Sequence, residues 1–317
     1  YTRKYSKSYF RRRRVPLSDI ISDMGIHHHL YADDTQLYTS FSPNSTTSKA
    51  SAIEKLELCT RRIKSWMDAN FLKLNEAKTE ILVVQQPRAR VSLIANPAPL
   101  RLVGCDLLPG PEVKDLGVFF DKNFNMEKQV KAVCKAAYFQ LHKIWTIRNY
   151  IDCDTVKSLV QQQIMSRLDY CNCLYFGLPA VTKNRLQRVQ NAAARVVVKA
   201  KKHERITPVL KMLHWLPIEY RVRYKISLMT FKVLNGVAPD YLHDLVATYM
   251  PPRALRSQSE NLLSKQRFRL KTYGDRSFAA AAPQCWNELP KQLRTCDNII
   301  SFKRQLKTFY FKLAFQS

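Results

Sequence analysis

The apolar and polar residues near the start of the chain alternate around two adjacent aspartates. The stretch LYADDTQLY, residues 30–38, alternates on both sides of Asp33 and Asp34. Such alternation is typical of half-buried strands. We therefore predict one strand at Leu30–Ala32, a second at Thr35–Tyr38, and the aspartate pair at the turn between them.

Helical spacing dominates the segments that follow. Apolar residues recur three and four positions apart from Ser48 to Ala69, which predicts an amphipathic helix that covers the sheet. Four further apolar stripes predict helices: Val130, Val133, Ala137, Leu141 and Ile144; Leu186, Val189, Ala193 and Val196; Val222, Ile226, Met229 and Val233; and Phe302, Leu306, Phe309 and Leu313. On the third of these helices, Arg221, Lys225 and Lys232 are expected to stay outside. The stretch SFAAAAPQCW predicts close helix packing rather than a catalytic site, since it contains no nucleophile together with a general base.

Shorter runs between these helices predict further strands. Residues 79–84 predict a strand, and residues 113–120 predict a hairpin-like strand in which Gly117 allows a bulge or a close backbone approach. Residues 87–99 predict a loop region with a short strand. Strands followed by helices indicate an α+β fold. The chain of 317 residues is long enough for two or three sub-domains.

The net charge points to a polyanionic partner. Lys and Arg number 52 against 25 Asp and Glu, a formal charge of +27. The excess positive charges repel one another unless a polyanion neutralises them, so nucleic acid is the expected partner. A membrane surface would also attract it, but no apolar run approaches the roughly 18 residues of a spanning helix, and the start lacks a signal-peptide core. We therefore expect no membrane partner and an intracellular protein, in the nucleus, the cytoplasm or both.

Three clusters of basic residues are candidates for phosphate contact. Residues 1–14 contain seven basic residues and no acid, which predicts a disordered tail whose Arg11 to Arg14 could bind phosphates, act as a nuclear-localisation patch or simply be solvated. The other two clusters follow predicted helices: Lys128, Lys131 and Lys135 on one, and Arg185, Arg188, Arg195 and Lys199 on the next. A basic helix face is often only solvated. Its repetition with few acids favours a phosphate-binding surface.

The aspartate pair allows two interpretations from its residues alone. Aspartate favours turns because it bonds its own backbone and tolerates left-handed conformations, which would make Asp33 and Asp34 structural. Adjacent carboxylates also suit a hard divalent cation such as Mg²⁺ or Mn²⁺.

Softer metal ligands do not form a recognisable site. The eight cysteines are scattered, so we expect free thiols. Cys171 and Cys173 lack the second ligand pair that structural zinc needs, so no structural zinc is expected. Because successive strand residues point to opposite faces, His27, His28 and His29 cannot all converge on one ion.

Several motifs occur in the order and rough spacing of a known family. YADD, WMDANFLKLNEAKTEILV and KDLGVFFD resemble the series from the catalytic hairpin to the primer-gripping hairpin of a reverse transcriptase of non-LTR (LINE) retrotransposons, nearest the jockey-like and chicken-repeat groups. The likeness continues through RLDYCNCLYFGLP, LQRVQNAAARVV, LHWLPIEYRVRYKISLMTFKVLNG and YGDRSFAAAAPQCWNELPKQLR, from about residue 15 to the C-terminus. The resemblance implies a partial polymerase palm over residues 15–122, a helical thumb over 123–203 and a mainly helical C-terminal region over 204–317.

The resemblance also implies a chemistry for the aspartate pair. In such polymerases two Mg²⁺ or Mn²⁺ ions clamp the primer 3′ oxygen and the incoming deoxynucleoside triphosphate. Asp33 matches the metal-binding position and Asp34 its neighbour, a weaker or indirect ligand. Tyr31 and Ala32 would then lie near the primer terminus, where a small residue leaves room for the backbone.

Two further positions follow from the same resemblance. Lys78 matches a basic residue that meets the triphosphate or serves as general acid, although a solvated loop lysine is the alternative. Gly117 lies in the motif of the primer-gripping hairpin. The template would be RNA, with RNA:DNA hybrid or DNA as the bound duplex.

One part of the family pattern is missing. A palm of this type needs a third carboxylate from an upstream strand, whereas Asp19 and Asp23 match only the linker before the hairpin. An N-terminally truncated polymerase that binds nucleic acid but cannot synthesise DNA alone is therefore the favoured interpretation. The alternatives are an active reverse transcriptase whose front half is absent from this chain, so that the triphosphate binds only when the palm is completed, and a non-enzymatic basic binding module.

Overall fold

The structure, a computed structural model, describes residues 17–42, 45–84, 100–102, 105–250, 261–268 and 273–316. The chain divides into two compact units, one of residues 1–115 and 121–123 and the other of residues 116–120 and 124–317. The described part combines helices with three two-stranded sheets, which confirms the α+β class. The basic tail over residues 1–14 and the predicted loop over 87–99 lie outside the described residues.

The first unit contains an antiparallel hairpin of strands β1 (His27–Tyr31) and β2 (Asp34–Tyr38). Tyr31 pairs with Asp34, so the turn holds only Ala32 and Asp33. Our prediction placed both aspartates in the turn and ended the first strand at Ala32, and it was wrong on both points. Ala32 has a φ of 52°, because a two-residue hairpin turn requires left-handed backbone at its centre.

Helix α1 (Thr46–Ala69) packs against one face of this hairpin. It begins at Ser45, whose hydroxyl accepts a hydrogen bond from the Ser48 amide. Its buried Cys59 and Ile63 join a cluster that includes Leu30 and Leu37 of the hairpin. The predicted amphipathic helix and its contact with the sheet are confirmed.

The predicted strand over residues 79–84 was wrong. A 3₁₀ turn occupies Glu76–Lys78, and Leu82 makes only an isolated bridge to Gly110. The backbone amide of Lys114 donates to the Glu80 carboxylate at 3.1 Å, so a side chain takes the donor that a regular ladder would use. Strands β3 (Leu100–Leu102) and β4 (Cys105–Leu107) form a second small hairpin in this unit.

A turn divides the predicted strand over residues 113–120 into β5 (Glu112–Asp115) and β6 (Val118–Asp121). Leu116 and Gly117 both have positive φ, 45° and 83°, as a tight hairpin turn demands. The predicted hairpin-like character of residues 113–120 is confirmed, and Gly117 lies in the turn of the hairpin rather than at a bulge. The boundary between the two units falls in this hairpin.

The second unit is mainly helical. Its α-helices are α2 (Glu127–Ile147), α3 (Cys153–Val160), α4 (Ser166–Asp169), α5 (Ala180–Val198), α6 (Ile206–Met212), α7 (Ile218–Leu234), α8 (Phe278–Asn287), α9 (Lys291–Arg294) and α10 (Ile299–Phe315). A π turn at Gln161–Met165 joins α3 to α4, and 3₁₀ turns lie at Asn172–Tyr175, Asp240–Leu245 and Gly274–Arg276.

Two apolar clusters form the core of the second unit. The larger one contains the predicted stripes of α2 and α5 and part of that of α7, which confirms these three faces. The smaller one joins α7, α8 and α10. The larger cluster includes side chains on both sides of residue 203, where the resemblance implies a domain boundary. Ala281, Ala282 and Cys285 are buried, as expected for close helix packing.

Two predicted surface assignments on these helices were wrong. Arg221 does not stay outside, because its guanidinium pairs with the Asp169 carboxylate and is only 16% exposed. Leu313 is 44% exposed, although its stripe was expected to be buried. The last turn of α10 packs through Phe311 and Phe315, which lie on the opposite side of the helix.

Candidate functional site

The hairpin of β1 and β2 presents a polar and aromatic face to solvent. His27, His29 and Tyr31 pair with Tyr38, Gln36 and Asp34 on this face, while Leu30 and Leu37 lie on the face that packs against α1. The rings of His27 and His29 stack on Tyr38, with centroids 5.4 and 5.5 Å away. His28 lies on the other face, within 2.7 Å of the Ser18 hydroxyl.

The two aspartates differ in how the hairpin holds them. Asp33 occupies the turn and Asp34 begins β2, and both are exposed. Tyr31, paired with Asp34, is 64% exposed, and Ala32 is also exposed. These four residues are therefore open to solvent at one end of the hairpin.

A third carboxylate, Asp115, lies near this turn and was not predicted. The Gln36 amide donates to both of its oxygens, at 2.8 and 2.9 Å. Burial raises the pKa of Asp115, the Gln36 hydrogen bond opposes that rise, and repulsion from Asp34 adds to it. The only sequence signal was an aspartate directly before the Leu116–Gly117 turn, which periodicity does not relate to residues 33 and 34.

These carboxylates do not complete a metal centre. Carboxylate oxygens are the donors that Mg²⁺ prefers. Among the residues that the structure describes, no three His, Cys, Asp or Glu side chains form a group that could hold an ion. No step of a metal-dependent reaction follows from this set of ligands.

Two other predicted site residues lie apart from the turn in sequence. Lys78 is exposed at the end of the 3₁₀ turn Glu76–Lys78. Gly117 belongs to the second unit, where the Tyr170 hydroxyl donates to the Leu116 carbonyl at 2.6 Å. Added at Gly117, a Cβ would lie 3.9 Å from the Tyr170 ring, so the glycine is explained by its positive φ rather than by crowding.

The second unit carries a surface of exposed cations. Lys128, Lys131 and Lys135 are exposed along α2, a helix whose one acid is Glu127 at its first position. The Lys128 ammonium lies 4.7 Å from the centre of the Phe119 ring. Lys131 and Lys135 extend the same side of α2 towards its middle.

Helix α5 places two arginines close to α2. Arg185 and Arg188 are exposed on α5, which contains no acid. Burial raises the pKa of the Cys134 thiol of α2, and the charge of Arg185 acts against that rise. Arg188 opposes a similar rise at Tyr138. Both arginines are thus close to α2, and we call Lys131, Lys135, Arg185 and Arg188 the basic face.

Two residues predicted for this surface have different surroundings. Arg195 is half-buried, and its guanidinium donates to the backbone carbonyl of Glu204 at 3.2 Å. Lys199 lies just beyond α5 with a φ of 57°, and its ammonium donates to the Asn149 amide oxygen at 3.0 Å. Both residues therefore hydrogen-bond the C-terminal end of α5 to other segments of the second unit.

Two acids of the second unit, Asp169 and Glu219, pair with cations outside the basic face. Asp169 pairs with Arg221, and Glu219 binds both Lys183 and Arg223. Lys183 and Arg223 hold the pKa of Glu219 below its usual value against the effect of burial. The positive potential of the basic face is therefore left uncompensated by these carboxylates.

Comparison with protein-family models, curated proteins and solved structures finds no match to this chain. Within the described ranges, no helix has both the length and the apolar character needed to cross a bilayer.

Proposed function

We propose that the protein is part of a reverse transcriptase of the non-LTR retrotransposon type, and that its second unit binds nucleic acid through the basic face. The observation that carries the binding proposal is the exposure of Lys131, Lys135, Arg185 and Arg188 on two packed helices that together contain one acid, Glu127. A surface of this kind binds phosphates and releases their counterions.

The proposed family rests on the motif series of the sequence and on the position of its aspartates. Asp33 and Asp34 are exposed at the end of a tight hairpin, where a substrate has access to both carboxylates. Mg²⁺ or Mn²⁺ is the cofactor expected there, with a further ligand still required. We therefore propose that this chain binds RNA or an RNA:DNA hybrid without extending a primer by itself.

Binding is tested by fluorescence anisotropy with a labelled RNA:DNA hybrid over a range of salt concentrations. Replacing the four residues of the basic face with glutamine should weaken binding to all sequences. The slope of log affinity against log salt should shrink by about three units, because each lost phosphate contact removes about 0.7 to 0.9.

A matched control removes the same charge elsewhere. Lys303, Arg304, Lys307 and Lys312 are exposed on α10. Their replacement with glutamine should leave the slope within about one unit of the parent value. Equal losses in the two variants would show that net charge, and not the basic face, drives binding.

The tail over residues 1–14 is the competing binding site. Deleting it should leave most of the affinity in place if the basic face is responsible. If the deletion abolishes binding while the glutamine variant of the basic face binds normally, the proposal is wrong.

Catalysis is tested by primer extension with Mg²⁺ or Mn²⁺. We expect no incorporation of deoxynucleotides by this chain. Incorporation that disappears in Asp33→Ala would instead favour an active enzyme. Binding without extension, unchanged by Asp33→Ala, fits both the proposed function and a purely binding module, and restoration of activity by an added upstream segment would separate them.

A further inference from the structure

The outer side of α2 changes character along its length. Its first half carries Lys131 and Lys135, and its second half carries two exposed aromatic residues, Tyr138 at 45% and Trp145 at 57% exposure. Large aromatic side chains that are exposed on the same side of a packed helix are candidates for a contact surface. Neither residue belongs to the apolar stripe of α2, although both lie at helical spacing from the lysines.

The two aromatic residues lie in line with Lys131 and Lys135 on the same side of α2. At 100° per residue, positions 131, 135, 138, 142 and 145 fall within an arc of about 80° on the helix. Tyr138 and Trp145 are seven residues apart, so their Cα atoms are separated by about 10.5 Å along the axis. His142 is exposed between them.

A neighbouring aromatic residue differs from these two. Phe139 is 58% exposed, but it lies off this line and the Lys143 ammonium covers its ring at 4.5 Å from the centroid. Its ring face is therefore already occupied by a cation. This residue supplies an internal control of similar size and exposure.

We propose that the basic face and these aromatic side chains together bind single-stranded nucleic acid, with unpaired bases stacked on Tyr138 and Trp145. This inference rests on the proposed function and specifies its ligand. Phosphates would contact the adjacent cations, and Arg188 lies close to Tyr138. Stacking on an aromatic ring contributes about 1–3 kcal/mol per base and tolerates any sequence.

The surroundings of the rings favour this ligand over the alternatives. Bases in a duplex stack on each other and offer no free face to an aromatic side chain, so a duplex would use the cations alone. Interfaces between proteins are depleted in lysine, whereas this line contains Lys131 and Lys135. A lysine-rich surface with exposed rings is the combination found where proteins track single strands.

Tryptophan fluorescence gives a direct measurement. Of the four tryptophans, Trp215 and Trp286 are 5% and 1% exposed, and Trp66 is half-buried in the first unit. Quenching by a ligand should therefore come mainly from Trp145. We expect a single-stranded oligonucleotide to quench the emission, an abasic phosphodiester of equal length to quench it far less, and Trp145→Leu to remove the difference.

Affinity measurements with variants complete the test. Tyr138→Ala and Trp145→Ala should each weaken binding to a single-stranded 20-mer by about tenfold, the equivalent of 1.4 kcal/mol, and change binding to a blunt duplex by less than about twofold. Phe139→Ala should leave both affinities unchanged. Circular dichroism checks that each variant is folded.

Three results would overturn the inference, and they differ from failure of the proposed function. Equal affinity for single strands and duplex, or normal binding by Tyr138→Ala and Trp145→Ala, would limit the site to the basic face. A dimer that Trp145→Ala converts to monomer in sedimentation would assign the rings to contact between two copies. Absence of binding to every nucleic acid would refute the proposed function itself.

Discussion

Arg148 offers a test of how the second unit is held together. This arginine is 7% exposed and pairs with no carboxylate among its described contacts. Its guanidinium donates to the backbone carbonyls of Val196 at 2.9 Å, Val197 at 2.8 Å and Ile151 at 3.1 Å. Val196 and Val197 belong to the last turn of α5, whose carbonyls lack partners within the helix and carry negative partial charge.

The three hydrogen bonds set the contribution of Arg148 to the stability of the second unit. A hydrogen bond with one charged partner contributes about 1.5–3 kcal/mol, so three contribute at least about 4 kcal/mol. Arg148→Met recovers part of the cost of burying a cation. We therefore expect the free energy of unfolding of the second unit to fall by about 3 kcal/mol. Arg148→Lys keeps the charge but lacks the planar fork, so it should lose roughly half as much.

Urea unfolding followed by fluorescence measures this loss, because Trp215 and Trp286 are buried in the second unit. With a slope of about 2–3 kcal/mol per molar, Arg148→Met should lower the midpoint by about 1–1.5 M. Lys135→Met removes the same charge from an exposed position of α2 and should shift the midpoint by less than about 0.3 M. A midpoint for Arg148→Met equal to that of the parent would refute the reasoning.

Two further predictions concern titratable side chains. Burial is the main cause of the raised pKa of Asp115. Between the ordinary aspartate pKa and the raised one, the folded state therefore binds more protons than the unfolded state. The free energy of unfolding of the first unit should fall as the pH rises through this range. Asp115→Asn should reduce this dependence in urea midpoints taken across pH 3–7, and an unchanged profile would contradict it. Burial raises the pKa of Cys285 to about 12, whereas Cys153 and Cys171 are exposed. A thiol reagent should therefore modify Cys153 and Cys171 first, and Cys285 only when the protein unfolds. Peptide mass mapping after timed labelling measures this order.

Several features of this protein were predictable from the order of its residues. Apolar spacing located α1, α2, α5 and α7 and the sides that they bury, because a helix must place an apolar stripe against a core. The alternation around Asp33 and Asp34 located the hairpin for the same reason. The excess of lysine and arginine on α2 and α5 was also visible, since local composition is independent of the fold.

The turns were not predictable at single-residue accuracy. The move of Asp34 from the turn into β2, and the division of residues 113–120 at Leu116 and Gly117, depend on which backbone amides find partners. Two-residue turns with positive φ are selected by the pairing of both strands, and hydrophobic periodicity contains no information on that pairing.

Tertiary structure alone decided what the charged residues contact. The sequence pattern does not distinguish Arg221, Arg195 and Arg188, since all three are basic residues on predicted helix faces. Folding pairs Arg221 with Asp169, directs Arg195 to the Glu204 carbonyl and leaves Arg188 exposed near Tyr138. It also brings Asp115 to Gln36 across 79 residues. Local pattern determines which side of a helix is apolar, but the partner of a charge is set by whichever segment packs beside it, and that is a property of the whole chain.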